Sequence, residues 1–303
     1  MDKPLIAIVG PTAVGKSALA LKLAQEFRGE IVSADSRQLY RGMDIGTAKP
    51  TREERARVPH HGLDVVNPGD AFSLADYQAR AYAAIDAIHA RGNIPFLVGG
   101  SGLYVRAVLD GLTIPRVAPD AARRAELEAE DAAMLYARLQ ERDARAAEKI
   151  DARNKRRVIR ALEVIETTGA AMSEQQKQLP PDYRILRIGL TLPRAELYVR
   201  INARVDAMLA AGLVDEVRAL IAQGFDLATP AMSGLGYRQI ALFVKGQIDL
   251  EEAVRLLKRD TRRFVHHQYS WFRLADARIV WFDVSTNPHA EICGCVEDFL
   301  QTP

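Results

Sequence analysis

Short apolar runs alternate with helical patterns along the first third of the chain. The runs end in small or turn-forming residues, and they read LIAIVG (5–10), EIVSAD (30–35), HGLDVV (61–66) and IPFLVGG (94–100). Runs of this length that alternate with helices are typical of βαβ units, whose strands form a parallel sheet. We therefore predict an α/β fold in which a mainly parallel sheet is flanked by helices.

The character of the chain changes in its middle. From Pro115 to Gln178 it is rich in Ala, Arg and Glu and has almost no strand pattern, which predicts a helical insertion domain. Strand character returns at RILRIGLTL (184–192) and at ARIVWFDV (277–284), with a helical stretch between them. The sheet should therefore take strands from both ends of the chain. The predicted division is a first part of the core at 1–114, the insertion at 115–181, and the rest of the core at 182–303.

The first apolar run leads directly into GPTAVGKS, residues 10–17. This stretch fits G-x-x-x-x-G-K-[ST], a P-loop whose backbone N–H groups bind a diphosphate while its Lys reaches the outer phosphates and its Ser binds Mg²⁺. Apolar spacing of three and four in the next segment, 16–27, predicts a helix that begins at the loop. The predicted diphosphate ligands are Gly10, Pro11, Thr12, Ala13, Val14, Gly15, Lys16 and Ser17, with Ser17 also the predicted Mg²⁺ ligand.

Such a loop is typical of ATP or GTP hydrolases and kinases, which also need an acidic residue at a strand end to hold Mg²⁺. The best predicted strand, IPFLVGG, runs instead into Gly99-Gly100-Ser101-Gly102. Asp64 is a weaker candidate because it lies inside its predicted strand. The sequence therefore supplies no evident hydrolysis apparatus.

Polar residues follow the second predicted strand, in the stretch SADSRQLY (33–40). In open α/β sheets ligands bind at the carboxyl edge of the strands, so a carboxylate at Asp35 could bind the metal or accept a proton from a nucleophile. A local Asx turn is the structural alternative for Asp35. The glycines around Ser101 allow a ligand to approach the backbone closely, or they simply form a tight turn.

Composition limits the class of protein. The 303 residues include 41 basic and 39 acidic residues, so the net charge of +2 does not indicate nucleic-acid binding by itself. The two cysteines, Cys293 and Cys295, form neither a disulfide framework nor a four-ligand zinc pattern, which favours a reducing compartment. Because no stretch approaches the ~20 apolar residues of a membrane span, we expect a cytoplasmic protein.

Positive charge is concentrated in two segments. RNKRRVIR (153–160) holds five basic residues in eight, and helical spacing places Val158 and Leu162 on an opposite, apolar face. KRDTRR (258–263) runs into HHQYSWFR (266–273), where basic and aromatic residues are interleaved. Such segments suit phosphate contacts and base stacking, and the alternative is a solvated charged face with Glu partners. We favour nucleic acid, and not a metal at the adjacent His266 and His267, whose side chains diverge on a helix.

Six motifs in order along the chain resemble the tRNA dimethylallyltransferase (tRNA isopentenyltransferase) family. They are GPTAVGKS, SADSRQLYRGMDIGTAKP (33–50), GGSGLY (99–104), RRVIRALEV (156–164), SGLGYRQ (233–239) and HHQYSWFR. The resemblance implies that the loop binds dimethylallyl diphosphate and that the five-carbon group moves to the exocyclic amine of an adenosine beside the tRNA anticodon. An allylic diphosphate ionises readily once its leaving group is neutralised, so no attacking water is needed.

The resemblance also implies roles for individual residues. Asp35 would accept the proton of the adenine amine, Ser101 would hydrogen-bond in the same pocket, and Lys16 would stabilise the leaving diphosphate. The adenine would enter one end of a channel and the diphosphate the other, with the insertion facing tRNA. The residues expected to contact tRNA are Asp35, Ser36, Arg37, Gln38, Ser101, Arg123, Arg156, Arg157, Arg160, Gly236, Tyr237, Arg238, Gln268, Trp271 and Arg273. We expect a monomer that uses Mg²⁺, binds the anticodon stem-loop and contacts no membrane.

The chain departs from the family pattern at two places. The family usually has Thr at the position of Ser101, which keeps the hydroxyl. It more often has Lys-Arg at His266-His267, which weakens the case for these two residues as phosphate contacts. The zinc finger of eukaryotic members is absent, which implies a bacterial-type enzyme. Two alternatives stay open: an adenylate isopentenyltransferase that modifies free AMP, ADP or ATP, and a P-loop small-molecule kinase.

Overall fold

The computed structural model describes residues 3–115, 117, 120–175 and 177–302. The chain forms two compact units, a core unit of Met1–Arg106 with Asp182–Pro303 and a helical unit of Ala107–Pro181. The expected insertion at 115–181 lies within the helical unit, which begins earlier, at Ala107.

A single sheet of six strands is the centre of the core unit, and every strand pair in it is parallel. The strands are β1 (Pro4–Val9), β2 (Gly29–Ser33), β3 (His60–His61), β4 (Ile94–Val98), β5 (Arg184–Thr191) and β6 (Val280–Asp283). The order across the sheet is β3-β2-β4-β1-β5-β6, so strands from both ends of the chain lie side by side. The predicted parallel sheet is therefore confirmed.

The third predicted strand is wrong over most of its length. Only His60 and His61 pair with β2, whereas the prediction ran from 61 to 66. The chain leaves the extended conformation because Gly62 and Asp64 have φ values of 81° and 53°. The Asp64 carboxylate is also occupied, since it accepts hydrogen bonds from Lys49 and Arg55.

Helices flank the sheet and build the rest of the core unit. Local capping starts several of them: Ser73 and Asp76 form a capping box, and Asp249 accepts a hydrogen bond from the Glu252 amide. The helices that begin in the core unit are α1 (Lys16–Glu26), α2 (Arg52–Arg57), α3 (Leu74–Ala90), α4 (Gly102–Leu109), α10 (Arg194–Ala210), α11 (Leu213–Ala222), α12 (Tyr237–Val244), α13 (Leu250–Trp271) and α14 (His289–Gln301).

The helical unit has its own hydrophobic core. Its helices are α5 (Ala121–Ala129), α6 (Ala132–Arg142), α7 (Ala144–Lys149), α8 (Lys155–Thr168) and α9 (Met172–Gln175). In α8 the apolar residues Val158, Leu162 and Ile165 are buried, as the spacing predicts, while Arg156 and Arg157 are exposed. Across the described residues of both units, no helix combines the length and apolar character needed to cross a membrane.

Candidate active site

The phosphate loop joins the end of β1 to the start of α1. Gly10 has a φ of 137°, and a Cβ there would lie 2.4 Å from the Leu190 carbonyl oxygen, so only glycine fits. Gly15, with a φ of 105°, precedes α1 and offers no side chain to cap its first amides. Those amides are therefore available to an anion, which the helix dipole also favours. Lys16 begins the helix and donates to the Pro11 carbonyl at 2.6 Å.

A buried glutamine of α13 connects the phosphate loop to the loop after β4. Gln268 is 3% exposed, its Oε1 accepts a hydrogen bond from the Thr12 amide at 2.8 Å, and its Nε2 donates to the Gly100 carbonyl at 3.0 Å. A Cβ at Gly100 would lie 2.3 Å from the same Nε2, so glycine makes room for this contact. Gln268 was expected to contact tRNA, but its amide is used to hold two loops of the site.

The predicted acidic residue lies directly after β2. Asp35 Oδ1 accepts a hydrogen bond from the Arg37 amide at 2.8 Å, so the Asx turn weighed as its structural alternative is present. Among the described residues, none donates a hydrogen bond to Oδ2, and Asp35 lines a cavity of the core unit of about 390 Å³. The turn therefore orients the carboxylate and leaves one oxygen for chemistry.

Ser101 lies beside the Asp35 loop, as the sequence motifs imply. Its Oγ accepts a hydrogen bond from the Ser36 amide at 3.0 Å and lies 3.3 Å from the Ser36 hydroxyl. Arg37 then extends away and donates to the Pro230 carbonyl at 2.9 Å and to Ser233 Oγ at 3.1 Å. These contacts bring the loops after β2 and β4 to the segment that precedes α12.

Gln38 fixes the other side of this loop. Its Oε1 accepts from the Ser33 hydroxyl at 3.0 Å, while its Nε2 donates to the carbonyls of Thr47 and Ala48, each at 3.3 Å. Lys49, in the same stretch, is 8% exposed. Its ammonium group donates hydrogen bonds to the Asp44 and Asp64 carboxylates and to the Tyr40 carbonyl. The stretch SADSRQLYRGMDIGTAKP is thus held together largely by its own polar side chains.

Two cavities meet at the N-terminus of α1. The larger, of about 390 Å³, is lined by Lys16, Asp35 and Ser101 and by residues from α10, α13 and the segment before α12. The smaller, of about 260 Å³, is lined by the phosphate loop together with Arg200 and Arg204. Lys16, Ser17 and Arg204 line both cavities, so the two spaces adjoin at these side chains.

Sequence reasoning missed Arg200 and Arg204. They lie one turn apart on α10, beside the buried residues Ile201 and Val205, and they add positive charge to the phosphate loop. Burial lowers the pKa of Arg204, and Asp35 partly offsets this effect. The only signal in the sequence was a pair of arginines at i,i+4 within an amphipathic helix, a pattern that surface helices share.

The charges around Lys16 favour an anion. Burial and the nearby Arg204 lower the pKa of Lys16 to about 7, while Asp35 acts in the opposite direction. Two partly buried cations that line the same cavities destabilise each other unless negative charge is added. A bound diphosphate would supply that charge, so the site is arranged for a polyanion.

Tyr237 was expected to contact tRNA, but it lies in the interior of the core unit. The side chain is fully buried, its hydroxyl donates to Glu216 Oε1 at 2.6 Å, and a Cβ at Gly46 would lie 2.5 Å from its ring. A residue in this environment supports the fold and presents no surface to RNA, so the expectation of a direct tRNA contact at Tyr237 is not supported. Its neighbour Gly236 lines the larger cavity, and Arg238 is exposed.

Trp271 is the last residue of α13, and Arg273 follows two residues later. The Trp271 side chain is half-buried against Gly102, where a Cβ would lie 2.2 Å from the indole, and Arg106 lies 5.9 Å from the ring centroid. Arg273 is exposed just beyond the helix. The nearby His266 Nε2 lies 2.6 Å from an Arg194 nitrogen and 3.0 Å from the Tyr198 hydroxyl, which suits a neutral imidazole that accepts hydrogen bonds.

Four arginines of the helical unit were expected to contact tRNA; two of them have partners within the protein, and two are exposed without an ion pair to any described residue. Arg123 pairs with Glu126 at 2.7 Å and Glu166 at 2.9 Å, and these hydrogen bonds raise its pKa. Arg160 donates to the Val117 carbonyl at 3.0 Å. Arg156 and Arg157 are exposed and form no ion pair with any described residue. The solvated, paired face considered as an alternative thus describes Arg123 but not these two.

Comparisons with known proteins identify the family of this chain. The sequence model described as IPP transferase matches residues 38–275, and the one described as isopentenyl transferase matches residues 3–63. The chain is 59% identical over 274 residues to the tRNA dimethylallyltransferase of Roseiflexus sp. strain RS-1, covering 89% of this chain and 90% of that protein. It is 48% identical to the enzyme of the same name from Dehalococcoides mccartyi, covering 98% and 93%.

Solved structures give the same result. The full-length tRNA isopentenylpyrophosphate transferase of Bacillus halodurans is 42% identical, covers 99% of this chain and 97% of its own, and has a TM-score of 0.75. A eukaryotic dimethylallyltransferase acting on tRNA has a TM-score of 0.86 at 27% identity, over 99% of this chain and 80% of its own. The resemblance of the sequence motifs is therefore confirmed, and the chain belongs to the IPP transferase family.

Proposed function

We propose that this enzyme transfers the dimethylallyl group of dimethylallyl diphosphate to the exocyclic N6 amine of an adenosine next to the anticodon in tRNA, with release of diphosphate. The observation that carries the proposal is the pair of adjoining cavities, which share Lys16, Ser17 and Arg204. The cationic side suits the diphosphate, and the larger cavity, with Asp35 and Ser101, has room for a base. Relatives at 48–59% identity are named for this activity.

The phosphate loop would stabilise the leaving group. As the bond between C1 of the allyl group and its oxygen breaks, negative charge develops on the diphosphate beside Lys16, Arg204 and the first amides of α1. Ser17 and Asp35 both line the larger cavity and offer oxygen ligands, which fit a Mg²⁺ ion that binds few protein groups and keeps phosphate oxygens. When bound, Mg²⁺ would neutralise further charge on the diphosphate.

Asp35 and Ser101 would contact the acceptor adenine. The N6 lone pair forms the new bond to C1, the diphosphate leaves with the electron pair of the old bond, and the Asp35 carboxylate takes the N6 proton. Ser101 is held by the Ser36 amide, so its hydroxyl is oriented toward the same pocket as the carboxylate. Gln268 positions both the phosphate loop and the Ser101 loop through its two hydrogen bonds.

The alternatives have specific weaknesses. For a kinase, β4 runs into glycines and Asp64 is bonded to Lys49 and Arg55, which leaves Asp35 after β2 as the one acidic residue, among those described, that could hold the metal. An enzyme for free AMP has no use for the exposed pair Arg156 and Arg157. One incubation separates the three functions: labelled dimethylallyl diphosphate with unmodified tRNA, AMP and ATP. We expect label in tRNA; label in AMP only, or ATP hydrolysis coupled to product without label transfer, would reject the proposal.

The affinity for dimethylallyl diphosphate should fall as the pH rises above about 7. The pKa of Lys16 is about 7 in the free protein, so the ammonium form is lost above that pH, whereas a bound diphosphate raises the pKa and restores it. Binding at pH 8 therefore takes up a proton, and affinity should fall by up to about tenfold per pH unit. Isothermal titration without tRNA, in buffers of different ionisation enthalpy, measures both effects.

Lys16→Arg is the matched control for this titration. Arginine stays charged throughout the range, so the variant should bind with an affinity that changes little between pH 7 and 9. Arg204 and Asp35, the other charged groups facing Lys16, are unchanged in it. If the wild-type affinity were equally flat, Lys16 would not be the titrating group.

The binding of tRNA should depend on the two basic segments, 153–160 and 258–263. We expect Arg156→Ala with Arg157→Ala, and Arg262→Ala with Arg263→Ala, to weaken tRNA binding and to flatten the slope of log K against log salt by about 0.7 to 0.9 for each phosphate that the variant no longer neutralises. Filter binding at several salt concentrations measures this slope. The control is Arg153→Ala, whose guanidinium already pairs with Asp151 at 2.9 Å. An unchanged slope in both double variants would make these segments ordinary solvated faces.

A further inference from the structure

A second cluster of metal-binding side chains lies outside the active site, where α1 ends and α14 begins. Glu26 is the last residue of α1, His289 is the first of α14, and Cys293 follows one turn later. A Glu26 carboxylate oxygen lies 3.0 Å from His289 Nε2, and the other lies 3.1 Å from Cys293 Sγ. Sγ and Nε2 are 3.7 Å apart.

These distances suit a tetrahedral zinc ion. Zinc binds thiolate sulfur at about 2.3 Å and imidazole nitrogen or carboxylate oxygen at about 2.0 to 2.2 Å, which places neighbouring ligand atoms about 3.3 to 3.6 Å apart. One ligand atom from each of the three residues lies within 4.8 Å of the others, so small side-chain rotations would complete the site. Thiolate, imidazole and carboxylate are also the donor types that zinc prefers.

The backbone positions of the cluster are fixed by packing. His289 and Cys293 are four residues apart and therefore share one face of α14, while Ile292 and Val296 of the same helix are buried in the core that also holds α1. The ligand side chains are only partly buried, with His289 33% and Glu26 46% exposed. A zinc ion could enter from solvent, and water could occupy the fourth position.

We propose that Glu26, His289 and Cys293 bind a Zn²⁺ ion that links the C-terminal end of α1 to α14. Binding replaces the thiol proton of Cys293, which passes to solvent, and His289 binds through Nε2 with its proton on Nδ1. The site does not depend on the proposed transferase function, because it lies at the end of α1 opposite Lys16 and Ser17. It would stabilise the helix whose first turn forms the phosphate site.

The contacts of Cys293 and His289 without metal indicate a modest affinity for zinc. The Cys293 thiol donates a hydrogen bond to the Glu26 carboxylate, so zinc must displace that proton to bind the thiolate. His289 Nδ1 is buried without a hydrogen-bond partner among the described residues, so no acceptor holds the ring from behind. We therefore expect weaker binding than at a four-ligand structural zinc site.

The experiment uses the full chain without a histidine tag and with Co²⁺ as the probe. A cysteine ligand gives a thiolate-to-cobalt charge-transfer band in the near ultraviolet, and tetrahedral coordination gives intense visible bands. We expect both bands to saturate at one equivalent of Co²⁺ and to be displaced by Zn²⁺. Cys295 is the matched control, because it lies two residues further along α14 and outside the cluster.

The variants decide the assignment. Cys293→Ser should abolish the charge-transfer band and weaken Zn²⁺ binding by at least about tenfold, whereas Cys295→Ser should leave both unchanged. Zn²⁺ should also raise the melting temperature of the wild type and of Cys295→Ser, but not of His289→Gln, which tests the site without altering a cysteine. Absence of the band in the wild type, or its persistence in Cys293→Ser, would overturn the proposal, as would equal thermal stabilisation of all variants.

Discussion

Lys16→Ala should lower the single-turnover rate of dimethylallyl transfer by about 10² to 10³. The expected size is that of removing one preorganised group that stabilises charge developing on a leaving group. Lys16 is the side chain common to the two cavities that also starts α1, so no other described lysine can take its place. Arg204 would remain to bind the diphosphate, which is why a residual rate is expected.

Quench-flow with saturating dimethylallyl diphosphate and tRNA measures this rate, and a separate titration measures tRNA affinity. Lys22→Ala is the control, because Lys22 is on the same helix but exposed away from both cavities. We expect the tRNA affinity of both variants to stay near that of the wild type. A rate for Lys16→Ala within a few-fold of the Lys22→Ala rate would show that Lys16 does not stabilise the leaving group.

The parts of the fold that could be predicted are those coded by local patterns. β1, β2 and β4 are buried over nearly their whole length and β5 is buried mainly in its second half, and a buried strand has few other ways to satisfy its backbone. The prediction of a strand at 61–66 was wrong because positive φ values at Gly62 and Asp64 interrupt the extended backbone there. A glycine can adopt such a φ, but its presence does not require it.

The candidate site was predictable where one loop carries the chemistry, and less so where distant segments meet. GPTAVGKS specifies its own turn, and Asp35 and Ser101 each follow a predicted strand that ends at the same edge of the sheet. Arg204 and Gln268 reach the site from helices far along the chain: nothing in the local sequence distinguishes Arg204 from a surface residue, and the motif around Gln268 indicated a contact with tRNA. Their roles depend on tertiary packing, which a single sequence does not reveal.

Residues of the same motif can differ in burial and therefore in their role. SGLGYRQ contains Tyr237, fully buried and bonded to Glu216, beside Arg238, which is exposed. Similarly, Lys49 in the motif SADSRQLYRGMDIGTAKP is buried and forms ion pairs with Asp44 and Asp64. Resemblance to a family identifies such positions as important, but the reason for their importance becomes visible only from their contacts.

Asp35→Asn should lower the rate of transfer further than any other substitution that keeps the shape of the site, by about 10² to 10⁴. The adenine amine is a poor nucleophile because its lone pair is delocalised into the ring. A carboxylate that takes the proton as the carbon–nitrogen bond forms lowers the barrier, and an amide cannot take that proton. Asparagine can still accept the hydrogen bond from the Arg37 amide, so the Asx turn and the loop should persist.

A comparison of two variants separates chemistry from loop structure. Asp35→Ala removes both the base and the Asx turn, so it should lose tRNA affinity as well as rate, whereas Asp35→Asn should lose rate alone. Single-turnover kinetics with saturating dimethylallyl diphosphate, together with a direct tRNA titration, measure the two quantities. A rate for Asp35→Asn within a few-fold of the wild type would exclude Asp35 as the base. Loss of the Mg²⁺ dependence of the rate, with an unchanged pH profile, would instead assign Asp35 to the metal. Removal of a base changes the pH profile of the rate, whereas removal of a metal ligand changes its dependence on Mg²⁺.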